Sequence, residues 1–262
     1  MKFKATLLLT LLLILFIYSC DDISEENRFS VIPLPIETSK KVLIEDFTGQ
    51  LCHNCPYAAE TIRDIQRLYG EDHIIAVAIH GGDLSIDETT NPLGLATPQG
   101  TAYQRYWGVN HWPCGMVDRK GILEHTSWSG MVTQRLQESP QATISIANIL
   151  DTENNRLKID VTTEAEQDFI GKLQIWLTED SVCCPQIMPD GEIDGFYLHR
   201  HVFRASVNAP YGDDISMTAG SRQTVCYEYQ LNDMWDTSQL YVVAFIYNDS
   251  DGVLQAEKAK CK

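Results

Sequence analysis

Apolar positions follow two textures along the chain. Up to about residue 139, short unbroken apolar runs alternate with stretches of helical spacing; from 141 onward apolar and polar residues mostly alternate one for one. Val42, Leu43, Ile44 and Phe47 form a run of β-formers bounded by Thr48-Gly49, the pattern of a buried strand. Pro56 suits the first turn of a helix, where its missing N–H is no loss. Ala58, Ala59, Ile62, Ile65, Gln66 and Tyr69 then keep helical spacing up to Gly70, which can end the helix. Residues 73–80 read as a second buried strand, parallel to the first if the connection is a right-handed crossover. After a long loop over 81–97, residues 99–107 read as a short helix and Met116-Val117 as a strand entered through Pro113. A turn over 118–121, a strand over 122–125 and an amphipathic helix from Trp128 to near Ser139-Pro140 complete the order β-α-β-α-β-β-α.

The second texture predicts strands over 142–150, 156–163, 173–177, 195–207, 223–231, 240–247 and 252–260, separated by segments rich in Asp, Asn, Gly and Ser. Frequent turns without a helix point to an all-β sandwich, immunoglobulin-like in type. The expected organisation is therefore an α/β domain over 37–139 followed by a sandwich over 140–262.

The N-terminus belongs to neither domain. Lys2 and Lys4 precede an apolar stretch from Ala5 to Tyr18, shorter than the roughly 20 residues of a membrane span. Ser19-Cys20 follows, so residues 1–19 read as a lipoprotein signal peptide and Cys20 as the lipidated residue; the alternative is an ordinary secretory signal with a spare cysteine. Several acyl chains on Cys20 would anchor the protein to a membrane, since one alone binds marginally. Residues 20–36 carry Asp21, Asp22, Glu25 and Glu26, lack apolar periodicity and suit a flexible acidic tether. The formal charge of −16 makes nucleic acid and anionic membrane improbable partners. With Cys20 set aside, the eight cysteines leave an odd number, so at least one thiol is unpaired. In an exported chain some of Cys183, Cys184, Cys226 and Cys261 are expected to be bridged.

The candidate chemistry lies in Cys52-His53-Asn54-Cys55-Pro56, between the first strand and the first helix. At a helix N-terminus, unpaired N–H groups and the dipole favour a thiolate. Such surroundings bring a cysteine pKa from about 8.5 into the range of roughly 3.5–7.5, as thiol–disulfide exchange requires. A zinc site would need a second ligand pair at metal spacing, and none follows. Asp46 lies six residues before Cys52, and Trp112-Pro113-Cys114 opens the later strand. Strand, CxxC, helix and X-Pro-strand in this order resemble thioredoxin. That resemblance implies a thioredoxin-like fold, with Cys52 attacking and Cys55 resolving. It also implies a buried Asp46 that relays protons, and a cis Pro113 beside the cysteines.

His53, Trp112 and Cys114 are accessory candidates; Cys114 either competes for Cys52 or is a buried inert thiol. His80, Asp83, Asp87 and Glu88 can be drawn as a metal site, but a solvated acidic loop is the preferred reading, and no metal or cofactor is assigned. His199 and His201 would share one face of a strand, on a solvated or interdomain surface.

Glu45-Asp-Phe-Thr-Gly49, the CxxC, Trp112-Pro-Cys-Gly-Met-Val-Asp-Arg119 and His199-Arg-His-Val-Phe-Arg204 together resemble the Bacteroidota outer-membrane lipoproteins related to the 28-kilodalton outer membrane protein. The resemblance implies a lipid-anchored outer-membrane protein, and the acidic run after Cys20 resembles a surface-export signal. Two functions remain open. One is thiol–disulfide exchange on exported proteins. The other is non-catalytic binding, adhesion or service in an outer-membrane complex, with a protein or peptide partner and a structural Cys52–Cys55 bridge.

Overall fold

The computed structural model describes residues 39–262, so the signal peptide, Cys20 and the whole tether lie outside the described residues. The first half contains strand β1 (Val42–Thr48), helix α1 (Cys55–Tyr69), β2 (Ile74–His80), α2 (Pro98–Tyr106), β3 (Cys114–Val117), β4 (Ile122–Leu123) and α3 (Trp128–Arg135). β1 runs parallel to β2, from Val42 opposite Ile74 to Thr48 opposite His80, and antiparallel to β3, with Phe47 opposite Cys114. Every residue of β1 is buried, so Val42, Leu43, Ile44 and Phe47 are apolar on both faces and the two acids between them, Glu45 and Asp46, are buried as well.

The second half contributes β5 (Ala142–Asp151), β6 (Arg156–Ala165), β7 (Phe169–Glu179), β12 (Val202–Ser206), β13 (Asp213–Met217), β14 (Arg222–Gln230), β15 (Leu240–Asn248) and β16 (Gly252–Lys260). Between β7 and β12 lie four two-residue strands: β8 (Val182–Cys183), β9 (Gln186–Ile187), β10 (Ile193–Asp194) and β11 (Leu198–His199). One sheet crosses both halves in the order β16-β15-β7-β12-β2-β1-β3-β4, with β13 on β7. The join is the parallel pairing of Val202 with Ala78, whose N–H donates to the His201 carbonyl at 2.8 Å. β2 would otherwise present an open edge, and β12 covers it.

Alternation sorts the side chains of this sheet onto two faces. Val42, Ile44, Ile74, Ala76 and Val117 pack under Ala58, Ile62 and Ile65 of α1 and Trp128 and Val132 of α3. Farther along, Leu173, Ile175, Leu177, Val242, Ala244 and Ile246 face a second sheet, β14-β6-β5, through Ile144, Leu157, Ile159 and Val161. The opposite face holds Leu43, Phe47, Val77, Met116, Trp176, Phe203 and Phe245, closed by Tyr103 of α2.

The expected strand over 195–207 is broken in two. His201 takes φ 55°, so β11 and β12 follow different paths and the two histidines do not share a strand face. Nor are they solvated: both are buried. β13 escapes a sequence reading because only Ile215 and Met217 interrupt a polar, acidic stretch. The expected bridge among the later cysteines is also corrected. Cys183, Cys184, Cys226 and Cys261 are all free. Cys226 points outward from β14 while Cys261 lies inside the core, and Cys183 and Cys184 are exposed and buried neighbours.

Candidate functional site

β1 ends at Thr48, and the turn that follows places Cys52 just ahead of α1 and Cys55 as its first residue, joined as a disulfide with Cα atoms 5.4 Å apart. The turn needs Gly49, because a Cβ there would lie 2.1 Å from the Leu84 carbonyl oxygen. Cys52 N–H donates to the Gly49 carbonyl and Cys55 N–H to the Cys52 carbonyl, so two tight turns lead the chain into α1 at the second cysteine. His53 is exposed.

Beneath the disulfide lies Asp46, only 2 % exposed on the α1 side of the sheet. Its Oδ1 has no hydrogen-bond partner among the described residues, and burial pushes the carboxyl up to about 8. Asp46 and Cys55 line one narrow cleft. The Trp112–Pro113 peptide is cis, and Pro113 is buried just ahead of the Cys114–Phe47 pair, beside the end of β1. Trp112 Nε1–H donates to Gln104 Oε1 at 3.1 Å, which turns the indole toward α2. Cys114 packs with Phe47, Val77 and Tyr103 on the face away from Asp46. Its burial, aided by the charges of Asp46 and Glu124, pushes the thiol up to about 12, so it stays protonated.

The sequence does not reveal what covers the site. Residues 180–201 form a strap, laddered by β8 with β11 and β9 with β10, that closes over the turn. Gln186 Nε2 donates to the Cys52 carbonyl at 2.9 Å, and Ile187 N–H donates to the Gln50 carbonyl at 2.9 Å. Gln50 Nε2 in turn donates to the carbonyls of Pro185 and Leu93, while its Oε1 accepts from Leu95 N–H. Cys52 and Cys55 are each 3 % exposed as a result. Beside them the strap sets His199 against His80, ring centroids 5.2 Å apart. The only sequence signal for this cover is the polar, glycine-bearing break between two strongly patterned strands.

Replacing Gln186 with alanine removes the donor that ties the strap to the motif. At a net 0.5–1.5 kcal/mol per hydrogen bond, the open population should rise about two- to tenfold. Reduction of Cys52–Cys55 by dithiothreitol should accelerate accordingly, and an unchanged rate would mean that the strap does not gate the disulfide.

A sheet shared by two halves of the sequence, with a CxxC disulfide at a helix start above a buried acid, defines a two-part α/β and β protein with a dithiol site. The family model described as outer membrane protein Omp28 matches residues 100–262. The chain belongs to this Omp28 family of outer membrane proteins. The matched segment begins after Cys55, so family membership by itself says nothing of the disulfide. Among solved structures, HBP35 of Porphyromonas gingivalis superposes with a TM-score of 0.69 at 17 % identity, over 87 % of this chain and 77 % of that one. This likeness is one of fold. A domain of the outer membrane lipoprotein Omp28 from Porphyromonas gingivalis aligns over 47 % of this chain and 89 % of its own, at 16 % identity and a TM-score of 0.34. No curated protein matches the sequence. Among the described residues no helix is long and apolar enough to cross a membrane.

Proposed function

We propose that the first half is a thioredoxin-like unit whose Cys52–Cys55 pair exchanges disulfides with exported proteins. On this reading the protein is lipid-anchored at the outer membrane through Cys20 and faces the cell exterior. The observation that carries the reading is the unpartnered carboxyl of Asp46 beneath a disulfide at a helix start, in the same cleft as Cys55. A substrate thiolate attacks Cys52 Sγ; the S–S bond breaks, and its electron pair leaves on Cys55 Sγ. Asp46, neutral near pH 7, hands Cys55 its proton. A second substrate thiolate then attacks the substrate's own sulfur in the mixed disulfide and releases Cys52. The substrate dithiol is oxidised and the protein disulfide reduced, and the reverse course reduces a substrate. Pro113 borders this site, and Trp112 and His53 flank it.

The second reading, a binding or adhesion protein with a structural bridge, is favoured by one observation: both cysteines lie under the strap. A redox titration separates the two. Exchange predicts a potential of roughly −120 to −270 mV for Cys52–Cys55, whereas a structural bridge lies below about −300 mV.

A further inference from the structure

Asp46, His80, His199 and His201 each present one buried side-chain atom without a hydrogen-bond partner among the described residues: Oδ1, Nδ1, Nε2 and Nε2 respectively. They come from β1, β2, β11 and the residue before β12, yet they converge. A cleft of about 60 Å3 joins Asp46 to His201, and a neighbouring one of about 30 Å3 joins Asp46 to Cys55, His80 and His199. The two share Asp46, Tyr197 and Arg200. Arg200 is exposed, as is Arg63 of α1 on the larger cleft, so this system reaches the surface. Buried polar atoms are nearly always satisfied, and although Ala59, Ile62, Ala76 and Ala78 make much of the lining apolar, a space of this size bearing these unpaired atoms takes a few water molecules.

We propose that these clefts hold a chain of water running from the Arg63–Arg200 mouth to Asp46, and that His199 is a positioning residue that orients it for proton delivery to Cys55. The proposal rests on the exchange reading and supplies what that reading leaves out. Once Asp46 has given its proton to Cys55 it is a carboxylate buried under α1 and the strap, 2 % exposed, and it must be reprotonated before the next cycle. His199 suits the task because it stays a neutral imidazole: burial pushes its pKa down to about 4, against the backbone of Cys184 and Pro185, which favours the charged form. Its free Nε2 can accept from a water while that water donates onward. His201, whose Nδ1 lies 3.0 Å from Asp180 Oδ1, turns its free Nε2 into the larger cleft in the same way. His80 is likewise held neutral by burial, with His199 and Arg204 adding to the effect. The groups facing Asp46 are therefore the neutral imidazoles of His80 and His199, the His201 ring paired with Asp180, the Tyr197 phenol and, at the mouth, the two arginines.

The test is the pH profile of dithiothreitol reduction of the intact protein, expressed per thiolate of the reductant. In the wild type this rate should fall as pH rises through about 8, where Asp46 loses its proton. His199→Phe fills the space without an acceptor and should slow reduction at pH 7 by about tenfold or more, within the range of general acid–base effects. His199→Gln keeps a polar acceptor and should recover most of the rate. Simple loosening of the strap would have the opposite sign and speed the reaction. A His199→Phe protein that reacts as fast as the wild type, or is slowed equally at every pH, overturns the water path and leaves exchange standing. A wild-type disulfide inert to dithiothreitol overturns both.

Discussion

Replacing Arg119 with methionine should destabilise the protein by about 3–5 kcal/mol, the cost of leaving a buried charge without its partner. The charge left behind is Glu45, in the middle of β1 on the face opposite Asp46, where its carboxylate is 1 % exposed. Arg119 answers it with two parallel bonds, Nε to Oε2 at 3.1 Å and Nη2 to Oε1 at 3.0 Å. The guanidinium also lies 4.0 Å from the Tyr247 ring centroid and 4.7 Å from that of Phe245. Through those rings the pair fastens the first half to β15 of the second, and both charged side chains are almost fully buried. The double variant Glu45→Gln, Arg119→Met removes both charges and should regain part of the loss, because desolvating the pair offsets much of its attraction. Urea unfolding measures both; a loss below about 1 kcal/mol for the single variant, the worth of an exposed pair, would mean that Glu45 reaches solvent.

Asp46→Asn should act in the opposite direction. A carboxyl with a folded pKa of about 8 and an unfolded one near 3.9 holds a proton in the native state that the unfolded chain has released. Stability therefore falls with rising pH from about 4 to about 8 and is level beyond, since the native state binds more protons throughout that window. At about 1.4 kcal/mol per unit, the wild type loses about 4 kcal/mol between pH 4 and pH 7 from this group alone. The asparagine variant lacks that slope, so its advantage over the wild type should widen by the same amount across the window. Urea unfolding at several pH values reads the slope. Equal slopes in the two proteins would mean that Asp46 is ionised and hydrated. The same variant should lose the fall in exchange rate near pH 8, because the acid that protonates Cys55 is gone. Active sites are where such perturbed acids gather, which supports the exchange reading proposed for Asp46.

Local pattern carried the first half well. β1, α1, β2, α2 and α3 lie where apolar periodicity puts them, because each is long and buries a stripe or a whole strand. Placement of Cys52 and Cys55 at a helix start also follows from neighbours in sequence, through Gly49 behind them and Pro56 ahead. In the second half β6 and β14 alternate because one face of each meets a core, whereas β15 is an apolar run because both of its faces do. β8 to β11 have no such face: at two residues each they pair with one another, and only β9 bonds to Gln50 and Cys52, contacts that leave no periodic trace.

The sequence by itself determined the strand–CxxC–helix unit, the change of texture near residue 140 and the acidic charge, since all three are properties of neighbouring residues. Tertiary structure alone decided that β12 continues the sheet beyond β2, that Arg119 answers Glu45, and that His199 comes to rest in the cleft of Cys55 and Asp46. Those pairings join residues from 74 to more than 150 positions apart. What selects them is the cost of an open strand edge and of buried charge or polar atoms without partners, and that cost exists only once the chain has closed on itself.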